Sequence, residues 1–245
     1  MLVAAAVCPC PPLLVPEVAA GAAPELDDLR AACADAVGVL AASRPDRLVV
    51  VGPAERSGRG AYAEGTPGSF RPFGVALDVR LGRSAADDGT KGAAAEAGPV
   101  RALPPSLAVG AWLLRGWSAS PVTALAVGEP LEQERCAAAG RQLAAAEGRL
   151  ALLVMGDGSA CRTLKAPGYL DARAEPFDAA VAAALAAADT AALAALDAEL
   201  AEALKVSGRA PWQVLAGAAQ DAALSGELLH ETAPYGVGYY VATWT

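Results

Sequence analysis

The sequence predicts an α/β fold of three layers, a mainly parallel central sheet with helices on both faces, in one domain. Three observations predict it. Short apolar runs at Leu2 to Val7, Leu48 to Val51, Val122 to Val127 and Leu150 to Met155 read as strands buried on both faces. Stretches of helical period separate them, and strands alternating with helices build parallel sheets. The 245 residues suffice for one large α/β domain with a continuous core.

The elements follow in order. Leu2 to Val7 is a strand stopped by Pro9, Pro11 and Pro12. A helix from Glu25 to Ala42 aligns Leu26, Leu29, Cys33, Val37 and Leu40 on one stripe. The strand Leu48 to Val51 ends at Gly52 and Pro53. Ala54 to Phe73 is rich in Gly, Ser, Arg and Pro without a period and reads as a long loop. Gly74 to Leu81 alternates like a strand, and Gly82 to Pro99 reads as a polar excursion. A helix at Pro105 to Arg115, with proline in its first turn, leads to the strand Val122 to Val127. Leu131 to Glu147 is helical, and Leu150 to Met155 ends in the turn Gly156-Asp157-Gly158-Ser159. Phe177 to Val206 reads as two helices broken near Asp189-Thr190, with Asp189 as a cap. Pro211 to Leu224 is a helix, and Glu227 to Thr232 and Val237 to Thr243 are strands around Pro234-Tyr235-Gly236.

Composition narrows the function. Hydrophobic residues make up 54% of the chain and aromatic residues 5%, so the core is built from small side chains. The net charge is -8 and the lysines are only Lys91, Lys165 and Lys205, leaving no basic stripe to neutralise phosphates; nucleic acid is not an expected partner. The apolar start lacks a cationic n-region and is broken at Pro9, which argues against a signal peptide. No apolar window reaches transmembrane length, so a cytoplasmic protein without membrane contact is expected. Five cysteines, an odd count, do not make a disulfide scaffold.

In an open parallel sheet, ligands gather beyond the C-terminal strand ends. Four segments are therefore expected to share one mouth: Cys8 to Pro12, Gly52 to Arg59, Gly156 to Tyr169 and Ser207 to Pro211. The third, GDGSACRTLKAPGY, concentrates Asp157, Ser159, Cys161, Arg162, Lys165 and Tyr169. Two readings stand side by side: a ligand pocket in which Arg162 and Lys165 hold an anion, or a turn in which Asp157 and Ser159 cap backbone groups. Cys8 and Cys10 form a C-x-C pair without a second pair or a nearby histidine, so a structural zinc site is not indicated. His230, the only histidine, falls in a late strand away from the mouth and reads as structural. GDGSA lacks the last glycine of a nucleophile elbow, and neither glycine turn ends as a phosphate loop does.

Four segments in this order, together with the chain's close, resemble the class III extradiol ring-cleavage dioxygenases of the LigB-like group, which has a Memo-like branch. CPCPPLLVPEV is similar to the family's histidine-proline-proline-leucine-leucine opening, and PDRLVVVGPAE to its strand ending in serine-proline-histidine. GDGSACR with APGYLD and PFD is similar to the glycine-aspartate-x-serine-histidine-arginine region. SGRAPWQVL resembles the Memo-like cysteine-glycine-x-glycine-proline segment, and HETAPYGVGYYVATW the closing strands. The resemblance implies a non-haem iron(II) site that cleaves a catechol with dioxygen. It also places Cys10, Ala54 and Ser207 at the metal-ligand positions and Ala160 at that of the acid-base histidine. Alanine has no lone pair to offer, so no metal and no cofactor is expected here. The candidate catalytic residues are Cys10 as a nucleophile, Asp157 and Ser159; the candidate ligand-binding residues are Arg162, Lys165, Tyr169 and Ser207. A small-molecule ligand, and association with further copies of the chain, are the expected partners, with a catalytically silent partner protein of the same fold as the alternative.

Overall fold

The computed structural model describes residues 1–83 and 101–245; most of the excursion expected at 82–99 lies outside the described residues. Four strands form the parallel centre: β1 (Leu2–Cys8), β2 (Arg47–Pro53), β6 (Val122–Val127) and β7 (Leu150–Met155). The short β3 (Gly60–Tyr62) adds antiparallel to one edge, and the hairpin of β8 (Gly226–Thr232) and β9 (Tyr239–Trp244) to the other. The order is β3-β6-β2-β7-β1-β9-β8. β4 (Pro67–Ser69) and β5 (Asp78–Arg80) pair separately.

The pleat splits the side chains between two cores. Ala4, Ala6, Cys8, Leu48, Val50, Ala151, Leu153 and Met155 face one side, where α2 (Asp27–Ala42) and α3 (Pro105–Leu113) cover them; the short α1 (Pro16–Ala19) precedes α2. Ala5, Val7, Val49, Val51, Leu152 and Val154 face the other. There α4 (Gln133–Ala145), α5 (Ala174–Ala186), α6 (Thr190–Ala194), α7 (Ala198–Ala203) and α8 (Arg209–Ala219) cover them. Each buried Val or Leu contributes about 1.5–3 kcal/mol relative to exposure, so these continuous apolar strands supply the main driving force.

Two expectations are corrected. The stretch read as two helices holds three, because Asp197 caps a third: its carboxylate accepts from Leu200 N–H at 2.7 Å, as that of Asp189 does from Ala192 N–H at 2.9 Å. The leucine spacing ran on through that break and hid it. The strand expected at Gly74 to Leu81 shrinks to Asp78–Arg80, since Gly74 takes φ +84° to close a 3-10 turn. Among the described residues no helix is long and apolar enough to cross a membrane.

Glycine sets the depth of one helix pair. A Cβ on Gly140 of α4 would run into the Val214 carbonyl of α8, and one on Gly217 into the Ala137 carbonyl. Replacing glycine by alanine in a helix favours it by about 1 kcal/mol, whereas overpacking costs about 1–3 kcal/mol or more. Because the obstacle is backbone, the clash wins. Gly140→Ala is therefore expected to lower unfolding stability in urea by roughly 1–3 kcal/mol; a stabilised variant would mean that α4 and α8 are not in this close contact.

Candidate functional site

Chain direction places the site. α2 and α3, which follow β1 and β2, lie on one face, while α4 and α5, which follow β6 and β7, lie on the opposite face. Connections therefore diverge at the C-terminal ends of the parallel strands and leave a crevice there. Its volume is about 640 Å³, and all four expected mouth segments line it: Cys10 after β1, Pro53 and Ala54 at the end of β2, Asp157 and Ala160 after β7, and Ser207 before α8.

Backbone contacts bring these residues together. Cys8 carbonyl accepts from Gly156 N–H at 3.0 Å, continuing the β1–β7 ladder by one bond. Beyond it, Cys10 N–H donates to Asp157 Oδ1 at 2.8 Å. A Cβ on Gly156 would lie 2.5 Å from Gly208 Cα, so only glycine lets β7 meet the start of α8 this closely. In that approach Asp157 N–H donates to Ser207 Oγ at 3.3 Å, and Ser207 N–H to the Asp157 carbonyl at 3.2 Å.

A second carboxylate faces the same space. Glu129, two residues past β6, sits 3.4 Å from Arg209 Nε and accepts from Ala210 N–H at 3.4 Å. Arg209 is 1% exposed; it also donates to Gln213 Oε1 at 2.7 Å and to the Leu131 carbonyl at 3.0 Å. That network holds the Glu129 carboxylate at the first turn of α8. The buried Tyr239 and Ser106 and the exposed Glu55, Arg59 and Lys205 complete the polar lining.

Burial dominates the electrostatics. It raises Asp157 to about 7, with the Cys10 amide offsetting part of the shift. It raises Glu129 to about 7 against the pull of Arg209. Both carboxyls thus exchange protons near neutrality. The Cys10 thiol is pushed well above the usual thiol range, first by burial and then by Asp157 and Glu129. It stays protonated at neutral pH, which is the wrong state for the nucleophile expected from sequence.

The structure assembles Cys10, Asp157 and Ser207 and separates the other four candidates from them. Ser159 is fully buried; its N–H and Oγ donate to Asp178 at 2.8 and 2.7 Å, so it holds α5 rather than a ligand. Arg162 turns to the same carboxylate at 3.2 Å and to Glu175. Lys165 lines a separate pocket of about 510 Å³ with Pro234 and Tyr235, and Tyr169 projects 63% exposed at φ +63°. Of the two residues read as caps, Asp157 does hold a backbone group, the Cys10 N–H, while lining the crevice, and Ser159 instead bonds the Asp178 side chain. His230 lies on the edge strand β8 and does not line the crevice. Glu129, Lys205 and Tyr239 were missed, and Arg59 was reached only as the end of the mouth segment Gly52 to Arg59. Applying the strand-end rule to β6 as well would have reached Glu129, whereas Tyr239 enters from an antiparallel strand that the rule does not cover.

These residues do not fit ferrous iron. Two of the four positions implied by the resemblance are alanine, and the cysteine is held protonated. Among the described residues no group of three or more His, Cys, Asp or Glu could hold a metal ion.

Because Asp157 is raised above the ordinary carboxylate range, the native state binds its proton more tightly than the unfolded chain. The stability that follows is complete below about pH 4 and is lost as pH rises through about 7. Asp157→Asn, which cannot ionise, is expected to flatten this decline in thermal unfolding and to melt higher than the parent protein at about pH 8. An unchanged slope would place the proton elsewhere. Cys10 is expected to resist iodoacetamide at neutral pH, read by peptide mass spectrometry; rapid labelling would show a thiolate.

No protein-family model matches the chain, and no curated protein matches its sequence. Among solved structures it is similar to an uncharacterized protein from Escherichia coli K12, with a TM-score of 0.51 and 16% identity over 99% of each chain. At that identity the likeness shows a common fold spanning both chains and says nothing about the site.

Proposed function

We propose that this chain is a class III extradiol dioxygenase-like protein without the iron chemistry, in which the strand-end crevice binds a small molecule. One observation carries the reading. Cys10, Ala54, Ala160 and Ser207, the positions that resemble the family's ligand and acid-base positions, come from four separate segments and line one crevice. The strand ends of a parallel sheet converge on one mouth, and there these four positions themselves, beyond their segments, line the cavity. What they offer is a cavity with Asp157 and Glu129 able to accept or release a proton near neutrality, which suits reversible binding or acid-base work on a ligand.

A silent partner protein is the second reading, and exposed apolar side chains favour it. Leu13, Leu164, Tyr169 and Leu170 all lie on segments that leave the ends of β1 and β7. Ligand-observed NMR with a panel of small fragments separates the two. Binding to the parent protein is expected, and Ala54→Trp, which fills the crevice from its half-buried wall, is expected to abolish it. Binding that survives this variant, or no binding at all, counts against the crevice reading. Anaerobic incubation with iron(II), followed by metal analysis and a catechol assay, is expected to give neither stoichiometric iron nor ring cleavage. Both together would restore the family's chemistry.

A further inference from the structure

The crevice separates charge in a way that specifies its ligand. On its floor Asp157 uses Oδ1 for the Cys10 amide and has the Cys10 thiol as a second neighbouring donor, while among the described residues no cation lies within 4.0 Å of its carboxylate. A carboxylate has capacity for about four donors, so beside the amide and the thiol it keeps acceptor capacity for a ligand in the cavity it lines. Glu129 reinforces the negative floor, since its one cation among the described residues, Arg209, is shared with Gln213 and the Leu131 carbonyl.

At the exposed rim cations outnumber carboxylates, Arg59 and Lys205 standing with Glu55. The Arg59 guanidinium lies against Gly128, where a Cβ would collide with it; its Nε donates to the Ala54 carbonyl at 3.4 Å, and its own carbonyl accepts from Arg101 at 2.8 Å. Among the described residues it has no carboxylate partner, and neither has Lys205, whose stem rests against Gly168. Two cations supplied by different loops, with the one exposed carboxylate of Glu55, thus border a cavity whose depth is acidic. Pro53, Pro105, Val237 and Tyr239 give the space between them apolar walls.

We propose that the crevice recognises a small amino carboxylate in its dipolar form, with the ammonium group on Asp157 and Glu129, the carboxylate toward Arg59 and Lys205, and an apolar body between. The proposal rests on the crevice being a small-molecule site. A simple anion would meet repulsion from the floor, and a simple amine would leave the rim cations unused. The dipolar ligand satisfies both ends, and a hydrogen bond between charged groups discriminates strongly against an analogue that lacks one of them.

Calorimetry on the full chain at about pH 8, where Asp157 is ionised, tests this with free amino carboxylates from alanine to tryptophan. The tightest of them is compared with its des-amino acid and its decarboxylated amine, and each analogue is expected to bind at least about tenfold more weakly. Asp157→Asn is expected to erase the preference over the des-amino acid. Arg59→Gln, an exposed change that does not threaten folding, is expected to erase the preference over the amine. Equal binding of either analogue overturns the proposal. If no amino carboxylate binds below about 10 mM while other fragments bind in the crevice, the ligand class falls and the crevice reading stands. If no compound of any class binds, both fall.

Discussion

The 2.8 Å bond from the Cys10 amide to Asp157 joins the ends of β1 and β7, two adjacent strands whose following helices depart to opposite faces. Without a link there, the two loops would diverge with the helices that follow them, and the crevice would have no floor. The link depends in turn on Gly156 and Gly208, whose missing side chains let the backbone after β7 touch the start of α8 and bring Ser207 into place. Packing at one glycine pair thus decides where three polar residues meet. It also buries a carboxyl group at a cost in stability, which is the usual mark of a group kept for what it does rather than for what it holds.

Arg209 and Glu129 show a different compromise. Arg209 is nearly inaccessible and divides its donors among a carboxylate, an amide side chain and a carbonyl, so its charge is satisfied from three directions. Gln213 passes the constraint on by donating to the Ala194 and Leu196 carbonyls at 3.1 Å, which ties the loop between α6 and α7 to α8. Glu129 is therefore fixed by the same buried network that anchors the small helices. Its protonation and the packing of that face of the sheet are linked through shared atoms.

The GDGSACR segment illustrates how density of polar residues misleads. Seven residues leave one strand end, yet they divide between two tasks because the chain turns inward after Gly158. Asp157 remains at the crevice, while Ser159 and Arg162 converge on Asp178, which is fully buried and needs those donors to offset its lost hydration. The polar side chains there stabilise the join between the β7 loop and α5. Among them only Asp157 retains an acceptor turned toward open space.

The amino-acid sequence by itself determined the layers, the parallel centre and the location of the mouth. Apolar runs bounded by proline and glycine can be satisfied only by strands covered on both faces, and the strand ends of such a sheet are where loops converge. It also singled out Cys10, Asp157 and Ser207. The tertiary structure decided which of the remaining candidates share their cavity, because Ser159, Arg162, Lys165 and Tyr169 differ from them in direction rather than in residue type. It alone revealed Lys205 and Tyr239, brought to the crevice by long-range contacts that no local spacing encodes, and it gave Glu129 and Arg59, each near a strand end, their place in the lining. It also decided the state of Cys10, since a thiol's reactivity follows from burial and from the carboxyls around it, and neither is written in the residues beside it.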